Sequence, residues 1–129
     1  MLEVGLKHTK EILVTEEKTA GVVGSGSLPV FATPMLIALA EGCCCECLAE
    51  HLEEGMTTVG TQVNVAHTAA TPVGMQVSCT CELTEVDGRR LVFALTMNDA
   101  CGAIGHGTHE RFIVAGERFL AKVNAKLQV

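Results

Sequence analysis

Between Thr33 and Gly55 the chain reads as one long helix, and beyond it every patterned segment is a strand until a short helical tail. That order leaves few folds open. Thr is a good N-cap, and Pro34 is tolerated in a first turn, where its missing N–H has no partner to lose. The helix is expected to run to about Glu54, with Gly55 as its stop. Leu36, Leu39, Ala40, Cys43, Cys44, Cys47, Leu48 and His51 recur at helical spacing and make one apolar stripe. Glu41 lies at one margin of that stripe, and Glu46 and Glu50 fall near the other.

The strands have period two. A first strand is expected at about 4–17, with Leu6, Ile12 and Val14 among polar residues. In 57–67, Val59, Thr61, Val63, Val65 and His67 share parity and project from one face. In 76–86, Val77, Cys79, Cys81 and Leu83 alternate with polar residues. Asp87-Gly88 is a hairpin signal, and residues 89–98 answer with Leu91, Phe93, Leu95 and Met97. A last strand follows at about 103–115, then a short helix at about 116–127. One helix beside an antiparallel meander is an α+β arrangement, with about five strands wrapped over a central helix. Residues 1–129 read as a single domain. A sheet this short has edge strands to manage, and pairing with a second copy is one solution.

Composition limits the partners. The net charge is −6, and Lys and Arg form no block, which argues against nucleic acid or an acidic membrane surface. No apolar run reaches membrane-spanning length. With no Trp or Tyr and four Phe, the core must be built from aliphatic residues, Met and Cys. The seven Cys are odd in number and three are consecutive, and no signal peptide precedes the first polar residues, so a reduced, cytoplasmic protein is expected. The Cys positions coincide with the apolar pattern and no C-x-x-C loop exists, so no metal site is expected. Cys45 points off the stripe.

Some residues carry chemistry. His67 ends an apolar strand face beside the break Pro72-Val73-Gly74, where a pocket can open, and an imidazole exchanges protons near neutral pH. Its structural alternative is a core histidine bonded to a carbonyl. Glu41 is either an ordinary half-exposed helix carboxylate or a group able to orient an imidazole, activate water or attack a carbonyl. Thr33 is explained by capping alone, yet its hydroxyl can also serve a site. Gly60 lets a ligand approach the backbone closely. Arg111 has two readings, a phosphate or ligand contact, or a partner for Glu110, Glu117 or an acid of another subunit. Gly24-Ser25-Gly26-Ser27 lacks the Lys of a phosphate loop and reads as a flap.

Thr33 with Glu41, Gly60-Thr61, His67-Thr68-Ala69-Ala70-Thr71-Pro72 with Gly74, Gly88-Arg89-Arg90-Leu91 and Gly105-x-Gly107-Thr108-His109-Glu110-Arg111 together resemble the hotdog-fold acyl-CoA thioesterases of the fluoroacetyl-CoA thioesterase type. The resemblance covers about residues 30–125. It implies a hotdog fold, a homodimer or higher oligomer, and hydrolysis of a short acyl-CoA without a cofactor beyond the substrate's own CoA. It implies catalytic roles for Thr33, Glu41 and His67, and places Gly60, Arg111 and Phe31 near substrate. The segment before Thr33 departs from the family's Phe-rich lid. Here it is Val23-Gly24-Ser25-Gly26-Ser27-Leu28-Pro29-Val30-Phe31, so the same aromatic lid, and with it the same fluoroacetyl selectivity, is not expected. The rival functions are a non-catalytic acyl-CoA or small-ligand binding protein and a structural or metal-binding dimer.

Overall fold

The computed structural model describes residues 2–128. Its main elements are β1 (Lys7–Leu13), α1 (Ala20–Val23), α2 (Thr33–Leu48), β2 (Met56–His67), β3 (Gln76–Asp87), β4 (Arg90–Asp99), β5 (Gly102–Ala115) and α3 (Gly116–Asn124). The five strands form one antiparallel sheet in the order β1-β3-β4-β5-β2. Helix α2 packs on one face, against β1, β3 and β2.

The core lies between that face and the helix stripe. Leu36, Leu39, Ala40, Cys43, Cys44, Cys47 and Leu48 are all buried, as their spacing predicts, whereas His51 lies beyond the end of the helix and is only half-buried. They meet Val77, Cys79, Cys81 and Leu83 of β3 and Leu91, Phe93, Leu95 and Met97 of β4, all buried in one cluster. Each such Leu or Phe contributes roughly 1.5–3 kcal/mol relative to exposure. The buried thiols behave as small hydrophobes with weak donors: Cys43 Sγ donates to the Cys79 carbonyl at 3.2 Å, and Cys81 Sγ to the Cys43 carbonyl at 3.7 Å. Cys45 is exposed.

Four expectations change. Helix α2 ends at Leu48 rather than near Glu54. Glu46, Glu50, Glu53 and Glu54 crowd the intended C-terminal half with no basic residue in the last turn, and carboxylates there oppose the helix dipole. Thr33 is the first helical residue and Ala32 holds the cap position without a side-chain cap bond. The Thr33 hydroxyl is used elsewhere. The first strand is shorter than 4–17, because Gly5 turns the chain at φ 101° before it and a 3₁₀ turn over Glu16–Lys18 follows it.

The fourth change concerns β2. It is an edge strand, and its pairing with β5 slips between Gly60 and Gln62. A bulge reverses the side-chain alternation, so Gly60 rather than Val59 or Thr61 joins the face of Val63, Val65 and His67. That face is not buried throughout, since Val63 is 37 % exposed. Gly107 makes the β2–β5 approach possible: a Cβ there would stand 2.1 Å from the Asn64 carbonyl oxygen.

Candidate functional site

Two clusters of polar side chains lie on the helix-facing side of the sheet. The first forms where the end of β2 meets the start of α2. The Thr33 hydroxyl and His67 Nδ1 are 2.8 Å apart. The Phe31 ring is buried and stands edge-on to the imidazole, with centroids 6.4 Å apart at 79°. Ala20, Ser25, Val30, Phe31, Thr33, His67 and the stretch Thr68–Ala70 line a cavity of about 290 Å³. Ser25 brings the Gly/Ser loop to its rim. Burial pushes the His67 pKa down, so the ring is neutral at physiological pH. Its Nε2 is buried and, among the described residues, has no hydrogen-bond partner. A buried ring nitrogen without a partner is costly, and such atoms mark places where a ligand or reacting group belongs.

The second cluster sits where the bulge faces the middle of α2. Gly60 pairs with Arg111, and Val63 with His109. Arg111 is buried, not a surface residue. Its Nε donates to the Thr58 hydroxyl at 2.8 Å and one Nη to the Thr58 carbonyl at 3.0 Å. The other Nη lies 3.1 Å from His109 Nε2 and 3.5 Å from Glu41 Oε2. Glu110 is not its partner, because Glu110 takes the Nε of Arg90 at 2.8 Å. His109 Nδ1 lies 2.8 Å from the Gln62 carbonyl, which can only accept, so the proton is on Nδ1 and Nε2 accepts from Arg111. Burial and then the neighbouring Arg111 charge hold the His109 pKa down, which keeps that tautomer neutral. A fixed relay from Gln62 through His109 and Arg111 thus aims a cation at Glu41. The Glu41 side chain is 40 % exposed and open to an incoming group.

The predicted residues therefore fall into two sets. Thr33, His67 and Phe31 come together, and so do Glu41, Gly60 and Arg111. Glu41 is not within ion-pair distance of His67; eight helical residues separate it from Thr33, a rise of about 12 Å. His109 and Thr58 have no role in the sequence reading. The signal for His109 was parity, since it lies two residues from Arg111 on a strand and so shares its inward face.

Gly60 is needed for the second cluster. A Cβ there would stand 2.7 Å from Glu41 Oε2. Gly60→Ala is expected to displace the Glu41 carboxylate by about an ångström, a shift that costs a site built on it about 100-fold in kcat/KM. The thermal midpoint should stay within a few degrees of wild type, because the clashing atom ends a flexible side chain. A large fall in the midpoint would show that Gly60 serves packing instead.

A sheet curled over one helix, with a hydroxyl–imidazole pair beside a cavity and a carboxylate on the same helix, defines a hotdog-fold thioesterase superfamily member. Residues 14–117 match the family model described as fluoroacetyl-CoA-specific thioesterase, and the chain belongs to that family. It is 40 % identical over 131 residues to a fluoroacetyl-CoA thioesterase of Streptantibioticus cattleyicolor, spanning 97 % of this chain and 94 % of the relative. A threonine-to-serine mutant of a fluoroacetyl-CoA thioesterase, solved in complex with acetyl-CoA, superposes with a TM-score of 0.91 at 38 % identity, over 97 % of this chain and 98 % of that one. A Thermus thermophilus thioesterase superfamily member superposes with a TM-score of 0.91 at 25 % identity, over 99 % and 95 % of the two chains.

Proposed function

We propose that this chain hydrolyses a short-chain acyl-CoA thioester to the free acid and CoA, acting as a cytoplasmic homodimer. The observation that carries this reading is the Thr33–His67 pair, whose buried Nε2 has no partner beside the cavity. A neutral imidazole can take a proton from a hydroxyl or a water and return it to the leaving thiolate. Among the described residues nothing accepts a hydrogen bond from the Thr33 amide, and Pro34 has no amide to offer. That N–H, at the positive end of α2, is placed to polarise a thioester oxygen. Seven free thiols suit a reducing compartment.

The edge strand supports the homodimer. Strand β2 spans Met56–His67 and leaves one side unpaired, an arrangement that invites a second strand. Antiparallel pairing of two β2 strands about a twofold near Val63–Asn64 puts His67 of one copy opposite Gly60 of the other. Each site then draws Thr33 and His67 from one copy and Glu41, held by Arg111, from the second.

The test is release of free thiol from acetyl-, propionyl-, butyryl- and fluoroacetyl-CoA. Turnover of the short acyl groups is expected, with kcat/KM for fluoroacetyl-CoA within about tenfold of acetyl-CoA, the scale of a single small contact. The reason is the loop before Thr33: Val22, Val23 and Leu28 are exposed, and its one Phe, Phe31, is committed to the core. Tight binding of these thioesters without turnover would favour the non-catalytic alternative.

A further inference from the structure

The acyl end of the substrate has a site above, but the clusters described offer nothing to a phosphorylated nucleotide. The chain carries nine Lys and Arg. Lys7, Lys10, Arg90 and Arg111 are ion-paired, and Lys18 donates to Leu13 and Thr15. Among the described residues Arg89, Arg118, Lys122 and Lys126 have no side-chain partner. Three of those four line one cavity of about 240 Å³, made by Arg89, Val114, Ala115, Arg118, Phe119 and Lys122. No carboxylate lines it. On a chain of net charge −6 this concentration of unneutralised cations is the exception. Arg118 and Lys122 are also four apart on α3, where like charges repel and weaken a helix by a few tenths of a kcal/mol. An anion in the cavity would relieve that repulsion. Phe119 is 39 % exposed, so part of its ring is open to stacking.

We propose that this cavity binds the 3′-phosphoadenosine diphosphate end of CoA. Arg89, Arg118 and Lys122 meet the phosphates, and Phe119 stacks on the adenine. The proposal rests on the acyl-CoA reading above and adds where the coenzyme is held. Distance selects the subunit. Ala115 lies four residues beyond Arg111 on β5, about 13 Å at strand rise, a span that an extended pantetheine arm bridges. His67 of the same chain pairs with Gly105, ten residues from Ala115 and roughly 33 Å away. The nucleotide is therefore held by the copy that contributes Glu41, not the copy that contributes Thr33 and His67.

The experiment compares acetyl-CoA with the acetyl thioester of N-acetylcysteamine, which keeps the reacting end and lacks the nucleotide. The double variant Arg118→Ala with Lys122→Ala is expected to raise KM for acetyl-CoA by about 10- to 100-fold, one tenfold for each lost phosphate contact. The kinetics of the truncated thioester should not move, and both side chains sit on an exposed helix, so the fold survives. In parallel, adenosine 3′,5′-bisphosphate should titrate into wild-type protein and not into the variant. Equal losses on both thioesters, or no change on either, would overturn the proposal. So would tighter binding of ATP, which lacks the 3′-phosphate. If wild type hydrolyses neither thioester yet binds the bisphosphate through Arg118 and Lys122, the nucleotide site stands and the thioesterase reading fails.

Discussion

Mixing two inactive variants, Glu41→Ala and His67→Ala, under conditions that let dimers exchange is expected to restore about a quarter of wild-type turnover. The figure follows from the shared-site homodimer proposed above. Random exchange makes half of the dimers mixed. In a mixed dimer one site receives Thr33 and His67 from the Glu41→Ala chain and Glu41 from the His67→Ala chain, and is intact. The other site lacks both groups. Each variant alone should be down by about 1000-fold, the range expected when a general base or its carboxylate partner is lost. If all three groups served one site within one chain, mixing would restore nothing, because every chain carries a defect. The first outcome is expected from the separation of the groups within one chain: Glu41 Oε2 faces Arg111 and His109, while His67 faces Thr33. Size-exclusion chromatography of each variant provides the control, since both must still form the wild-type assembly. A monomeric wild-type protein that turned over acyl-CoA would sink the shared-site idea directly.

What could be read from the residues was whatever depends on near neighbours in sequence. The stripe from Leu36 to Leu48 and the alternation through Val77–Leu83 and Leu91–Met97 are local patterns, and the structure buries each of those residues. The Asp87-Gly88 hairpin is local too, and Gly88 takes φ 63° there. The missed features depend on partners distant in the chain. That β2 is an edge strand follows from the order β1-β3-β4-β5-β2, which local periodicity does not encode. The bulge beside Gly60 follows from its register with Arg111 and Glu110 of β5. Without it, Val59 and Thr61 look like members of the His67 face. Thr33 was legible as a helix-start residue, but its hydroxyl had two claimants, its own helix and His67. The imidazole wins at 2.8 Å, and Ala32 is left to occupy the cap. Burial of Arg111 was the hardest to foresee. A guanidinium inside a protein needs several acceptors, and Thr58, His109 and Glu41 come from three separate elements.

Removing the imidazole should separate catalysis from folding. His67→Ala is expected to cut kcat/KM for acetyl-CoA by about 1000-fold while leaving the melting midpoint unchanged or higher. The second half of that statement comes from the ring's surroundings. Its Nε2 is buried without a partner, so the native fold already carries a desolvation cost there that Ala removes. The pH dependence has a definite sign. Burial lowers the folded-state pKa of both His67 and His109 below the ordinary 6.5. In the unfolded chain both rings take a proton as pH falls through 6.5, whereas the folded chain resists. The unfolded state then binds more protons, so stability is full well above pH 6.5 and declines as pH drops through 6.5 toward the folded pKa values. Catalysis should fall on the acid side as well, because only the neutral His67 ring accepts a proton, and its limb should lie below 6.5 with a plateau at neutral pH. His67→Ala should therefore flatten the acid limb of the residual rate and also reduce the acid slope of stability, leaving the part due to His109. Denaturant melts between pH 5 and 8 and a matching rate profile measure both. An acid limb retained in full by His67→Ala would assign the catalytic proton to another group.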